Sequence, residues 1–118
     1  MNPVIGLSLG RIAVGAVAVA NPAMAAKTFQ LDAVTNPQVP YVLRLFGARE
    51  IALGIVTLLV SGKTRRAVIG VGVAVDAADA ATGYLALQDG TVSKKTAFTL
   101  MLPAAGAVGS GLLALFRR

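Results

Sequence analysis

Apolar positions along this chain gather into four runs separated by polar breaks: Pro3 to Ala20, Tyr41 to Ser61, Ala67 to Leu87 and Thr96 to Phe116. Each run has about 18–21 residues, close to the roughly 20 that a helix needs to cross the hydrocarbon of a bilayer. Alternation of apolar and polar residues is absent, and Ala and Gly are abundant, so strands are not expected. Hydrocarbon admits only structures that satisfy their own backbone, which for this pattern means helices. The pattern therefore predicts an all-α fold, an integral membrane four-helix bundle, formed by a single domain over residues 1–118.

The breaks are short except the first. Residues 21–40 contain two Asn-Pro steps and Pro40, which punctuate a loop. The stretch AAKTFQLDAV within it is expected to form one short interfacial helix. GKTRR joins the second and third runs, and QDGTVSKK joins the third and fourth, with Asp89-Gly90 marking a turn.

Composition agrees with a membrane protein: 56% of residues are hydrophobic and 14% charged, against roughly 25% charged in soluble domains. Cys and His are both absent, which removes disulfides, thiol chemistry, the usual soft metal ligands and the commonest general base. No metal site and no cofactor is expected. The net charge of +6 invites a nucleic-acid reading, but the basic residues fall mostly at the ends of the apolar runs, where they act as topology signals. No nucleic-acid partner is expected. With four spans, one side carries Lys63, Arg65, Arg66, Arg117 and Arg118, and the other Lys27, Lys94 and Lys95. This bias places both termini in the cytoplasm. Residues 1–25 have a second reading as a secretory signal peptide with Ala23-Met24-Ala25 as its cleavage site. Against it, the chain before Arg11 is apolar and has no Lys or Arg.

Six ionisable residues fall inside the runs: Arg11, Arg44, Arg49, Glu50, Asp76 and Asp79. Intramembrane charges are costly and usually face the bundle interior with a partner. At 1.5 Å per residue, all but Arg44 lie within roughly 6 Å of one another in depth, with Arg44 nearer the outer surface. Helical phase adds a second regularity. Ser8, Arg11, Gly15 and Ala18 form one stripe; Gly47, Glu50, Gly54, Thr57 and Ser61 another; Gly72, Asp76, Asp79 and Gly83 a third. Small residues let helices approach closely and polar ones bond across the contact, so each charged stripe is also a packing stripe. Arg49 stands about 100° from Glu50 and is expected to pair with Asp76 or Asp79. The fourth run has no charge. Pro103 is expected to kink it, and Gly106 and Ser110 continue that face as a small-residue packing stripe.

The stretch RLFGAREIALG, Arg44 to Gly54, together with Arg11 in LGRIAVG and the aspartates of VDAADA, resembles small four-helix bacterial membrane proteins of a domain-of-unknown-function family. These are broadly similar to DoxX-like proteins, which also tend to carry an arginine in the first helix. The resemblance covers most of the chain in layout, with Gly47 to Glu50 and Gly54 as its most specific residues. It implies a four-helix bundle in the bacterial inner membrane and supplies no agreed activity. The small multidrug transporters fit less well: they carry a glutamate in the first helix, where this chain has Arg11.

Two functions compete. In one, the network lines a polar pocket for a small or lipid-like molecule, with Glu50, Asp76 and Asp79 as proton or cation sites. In the other, the chain is a structural or accessory subunit whose network only fixes helix packing. An enzyme is the weakest reading, since no nucleophile sits in a recognisable motif. The expected partners are the lipid bilayer, a small-molecule or lipid ligand, and a second copy or another membrane protein.

Overall fold

Asn2 opens the first helix by accepting a hydrogen bond from the Val4 amide at 2.8 Å, and Pro3 follows at the first helical position, where its missing N–H costs nothing. In the computed structural model, which describes residues 2–116, α1 spans Pro3–Ala20, α2 Pro22–Thr28, α3 Gln38–Leu59, α4 Gly62–Asp89 and α5 Lys94–Phe116. Arg117 and Arg118, counted above as topology signals, lie outside the described residues.

The all-α expectation holds, with five helices among the described residues: four long ones and a short one in the stretch 21–40. The short one, α2, begins three residues earlier than AAKTFQLDAV. The cause is Asn21-Pro22, which repeats the device of Asn2-Pro3: the Asn21 side chain accepts from the Met24 amide at 3.1 Å. Termination of α2 comes at Gln30, whose φ of 60° turns the chain left-handed while the Leu31 amide donates to the Ala26 carbonyl at 2.8 Å. Helix α3 starts before Pro40, since a proline in the first turn removes no internal bond. GKTRR is helical, so the turn between α3 and α4 shrinks to Val60 and Ser61.

Among the described residues three helices are long and apolar enough to cross a membrane: α1, α4 and α5. Helix α3 is long enough, but any 18-residue stretch of its 22 residues contains Arg44, Arg49 and Glu50.

The helices associate as two pairs, α1 on α3 and α4 on α5, joined by sparser contacts of α1 with α5 and of α3 with α4. Glycine sets the first pairing. A Cβ on Gly15 would lie 2.5 Å from the Gly47 carbonyl oxygen, and one on Gly54 would lie 2.7 Å from the Ser8 carbonyl oxygen. Only glycine permits backbones this close. In the second pair, a Cβ on Gly83 would meet Met101, and one on Gly111 would meet Val73. An apolar cluster of Ala18, Ala25, Ala26 and Leu43, flanked by Phe29 and Phe46, packs α2 and the following loop onto one end of the α1/α3 pair.

The packing assignment for α5 needs correction. Pro103, Gly106 and Ser110 are exposed, and nothing lies within 4 Å of a Cβ on Gly106. The helix stays continuous through Pro103 and buries Thr96, Ala97, Gly111 and Ala114. Gly106 is nine residues from Ala97, about half a turn out of phase, so it points away from α4.

Candidate functional site

Arg11 occupies the α1 face that packs on α3, one turn beyond Ser8. Its Nη1 donates to Glu50 Oε2 at 2.9 Å, to Glu50 Oε1 at 3.3 Å and to Asp76 Oδ1 at 3.0 Å; its Nη2 donates to Asp76 Oδ2 at 2.5 Å. One guanidinium thus bridges carboxylates on α3 and α4. All three residues are buried: Arg11 and Glu50 are 7% exposed and Asp76 1%. No Cα of α1 comes within 8 Å of α4, so the long Arg11 side chain spans a gap that the backbones leave open. Gly72 makes the room. A Cβ there would sit 2.9 Å from Arg11 Nη2.

Arg49 is separate from this triad. Its Nη2 donates to Asp79 Oδ2 at 2.5 Å, and its guanidinium carbon lies 5.3 Å from the centre of the Phe46 ring. Asp79, not Asp76, is its partner. The two side chains are 38% and 33% exposed, so this pair is half-open where the triad is closed. Two buried polar atoms have no partner among the described residues, Ser8 Oγ and Arg49 Nε.

Arg44 joins neither group. It is exposed, and its Nε donates to the Val19 carbonyl at 3.2 Å, at the C-terminal end of α1. Two arginines read above only as topology signals act the same way. Arg65 donates to the carbonyls of Thr57 and Leu58 at 3.1 and 3.3 Å, and Arg66 to that of Leu115 at 2.5 Å. Three helices, α1, α3 and α5, therefore end under an arginine from elsewhere in the fold. Each satisfies orphan carbonyls and the negative end of the helix dipole. The sequence signal was present but indirect: none of these helices has a basic residue in its last turn.

An open, apolar groove of about 340 Å³ lies between α3 and α4, lined by Ala52, Leu53 and Val56 on one side and Thr64, Ala67, Val68 and Val71 on the other. None of the six charged candidates lines it. At its α4 end stands the start of that helix, Ser61 to Thr64, where no side chain caps the first amides. No group of three or more metal-ligating side chains occurs among the described residues.

Outside the long helices, Asp32 organises the loop before α3. Its carboxylate accepts from the Thr35 hydroxyl, from the Thr35 amide at 3.0 Å and from the Val34 amide at 3.1 Å. The Thr35 hydroxyl and then its amide hold the Asp32 carboxyl below its ordinary range.

No curated protein and no solved structure matches the chain. A family model does, over residues 8–117, a span that includes the arginine triad, the Arg49–Asp79 pair and the groove. The chain belongs to the family described as a domain of unknown function, DUF4267.

Proposed function

We propose that this chain is a multi-pass integral membrane protein that binds an anionic, lipid-like amphiphile in the groove between α3 and α4. In this reading α1, α3, α4 and α5 all span, as a four-helix bundle of broadly DoxX-like layout in a bacterial inner membrane. Both termini then share the cytoplasmic side with the α3–α4 turn. Helix α3 crosses despite its three charges because Glu50 is held by Arg11, Arg49 is paired with Asp79, and Arg44 extends to a helix end.

One observation carries the binding reading: an apolar groove ends at an uncapped helix start beside Lys63. Its volume is at the small end of the roughly 300–1,000 Å³ typical of ligand sites, enough for part of an acyl chain against Leu53, Val56, Val68 and Val71. The free amides at the α4 N-terminus and the Lys63 ammonium both favour an anion there. That end of the groove lies at the cytoplasmic surface, where phosphate headgroups reside.

The triad supports the other reading for its own residues. It is buried and one guanidinium ties both carboxylates together, which suits a clamp that fixes helix register. This reading therefore puts the pocket in the α3–α4 groove and not at Glu50 and Asp76.

The chain has no tryptophan, so Val68→Trp creates a single reporter in the groove. Reconstituted in bilayers, its fluorescence should be quenched more strongly by a dibrominated phosphatidylglycerol than by the phosphatidylcholine with the same chains. Lys63→Glu should remove the difference. Leu113→Trp, on the exposed face of α5, should respond equally to both lipids. Equal quenching at Val68→Trp would refute the reading.

A further inference from the structure

The buried triad contains two carboxylates and one guanidinium. With every group ionised it would carry a net charge of −1 in a medium where an uncompensated charge costs several kcal/mol. Among the described residues the second cation near Glu50 is Arg49. Arg49, the neighbour of Glu50 on α3, is committed to Asp79, one turn beyond Asp76 on α4. Arg44 is turned to the Val19 carbonyl. In α1 the polar side chains are Arg11 and the uncharged Ser8, and α5 has no ionisable residue between Lys95 and Phe116. We infer that the Arg11–Glu50–Asp76 triad is a proton-binding site, holding one proton on Glu50 at neutral pH and so keeping the buried cluster neutral.

Geometry distinguishes the two carboxylates. Asp76 takes the fork of the guanidinium, one oxygen on each terminal nitrogen, at 3.0 and 2.5 Å. This is the bidentate arrangement that favours an ionised acid. Glu50 receives only Nη1, which it shares with Asp76, and its two oxygens are unequal at 2.9 and 3.3 Å. The nearer, Oε2, is placed as the carbonyl oxygen of an acid and accepts from Arg11. The farther, Oε1, is the weaker acceptor, so the inferred proton is assigned to it. Ser8 Oγ, fully buried without a partner, lies one turn from Arg11 along α1, on the residue whose carbonyl abuts Gly54, one turn from Glu50. Loss of the proton would leave two carboxylates competing for one guanidinium. The folded chain, holding one proton more than the unfolded chain, would then lose stability as pH rises.

Glu50 is the chain's only glutamate, so carboxyl-¹³C glutamate labels this side chain alone among the acids. Infrared spectra of the labelled full chain in nanodiscs at pH 7 should show the isotope-shifted carbonyl stretch of a protonated acid. The band should be missing in Glu50→Gln, disappear only in alkaline buffer, and be the same in sodium and choline salts. Glu50→Gln, which resembles the protonated acid in shape and charge, should keep the wild-type melting temperature, while Asp76→Asn should lower it. A labelled carboxylate band without an acid band at pH 7 would overturn the assignment. So would an acid band that appears only when sodium is withdrawn, which would make the site one for a metal cation. The wild-type spectrum decides the matter even if a variant fails to fold.

Discussion

Replacing Arg11 with methionine keeps a long, flexible side chain and removes the charge and every donor. Four contacts are lost, at 2.9 and 3.3 Å to Glu50 and at 3.0 and 2.5 Å to Asp76. Hydrogen bonds to charged groups contribute about 1.5–3 kcal/mol each, but contacts from one guanidinium do not add independently. The better guide is the cost of stranding a buried charge, about 3–5 kcal/mol. Asp76, 1% exposed, is the group left stranded. A loss of 4 kcal/mol lowers the folding equilibrium constant by about a thousandfold. Since the backbones of α1 and α4 stay apart and this side chain bridges them, the loss should fall on the joint between the two helix pairs. Unfolding in mixed detergent–SDS micelles, followed by circular dichroism because tryptophan is absent, measures it. The double variant Arg11→Met/Asp76→Asn removes the stranded charge and should recover about 2 kcal/mol relative to the sum of the single losses. If the two losses add to within about 0.5 kcal/mol, Arg11 and Asp76 are not coupled and the clamp does not exist.

Other substitutions separate close contacts from open ones. Gly47→Ala places a methyl 2.6 Å from the Gly15 carbonyl oxygen, a backbone atom that cannot step aside, and should cost about 1–3 kcal/mol. Gly106→Ala meets nothing and should stabilise α5 by up to about 1 kcal/mol through helix propensity; the same micelle unfolding assay reads both. In the spanning reading the exposed third of the Arg49–Asp79 pair faces lipid and not water, so Arg49→Ala strands Asp79 and should cost about 3–5 kcal/mol, as Arg11→Met does; a loss of about 1 kcal/mol, that of a water-screened pair, would mean that the pair is open to water. The Asp32 carboxyl, held low by Thr35, lends order to its loop that is fully present above 3.8, its ordinary value, and is lost as pH falls through the depressed one. Thr35→Val should move its NMR titration back up.

The stripes were legible because polar and small residues at helical spacing inside an apolar run have few reasons to be there other than contact. Ser8, Arg11, Gly15 and Ala18 all face inward, as do Gly47, Glu50, Gly54 and Thr57. Ser61, assigned to the same stripe, left it because the helix stops at Leu59. Partner choice was not legible. Helical phase puts Arg49 on a different face from Glu50, but which aspartate it meets depends on how α3 and α4 are offset, and one sequence does not encode that visibly. Helix α5 was misread for a related reason. With no charge to mark its inner face, Pro103, Gly106 and Ser110 competed with Gly111 and Ala114 on size alone. The arginine caps were missed because they join residues 25 and 49 positions apart for Arg44 and Arg66, and seven or eight apart for Arg65, while capping signals are sought within a turn of the helix end.

Those caps change the meaning of the net charge of +6. A basic excess suggests a surface that offers positive charge to a partner, yet most of the arginine charge here is already engaged. Arg11 and Arg49 hold carboxylates. Arg44, Arg65 and Arg66 are drawn onto helix carbonyls by donors that fit them. A guanidinium suits both tasks, since its several N–H groups can serve two acceptors at once. The lysines at the ends of the helices have no such partner among the described residues, and an ammonium on a flexible stem is suited to phosphate at a membrane surface. At the α3–α4 turn this leaves one side chain to meet an anionic headgroup: Lys63, at the mouth of the groove. Reversing that single charge should therefore abolish lipid selection at Val68→Trp while leaving the helix ends capped and the fold intact. Arg65→Glu should instead loosen the end of α3 and lower stability. If both reversals changed lipid selection equally and neither lowered stability, the division of labour between arginine and lysine at this turn would be wrong.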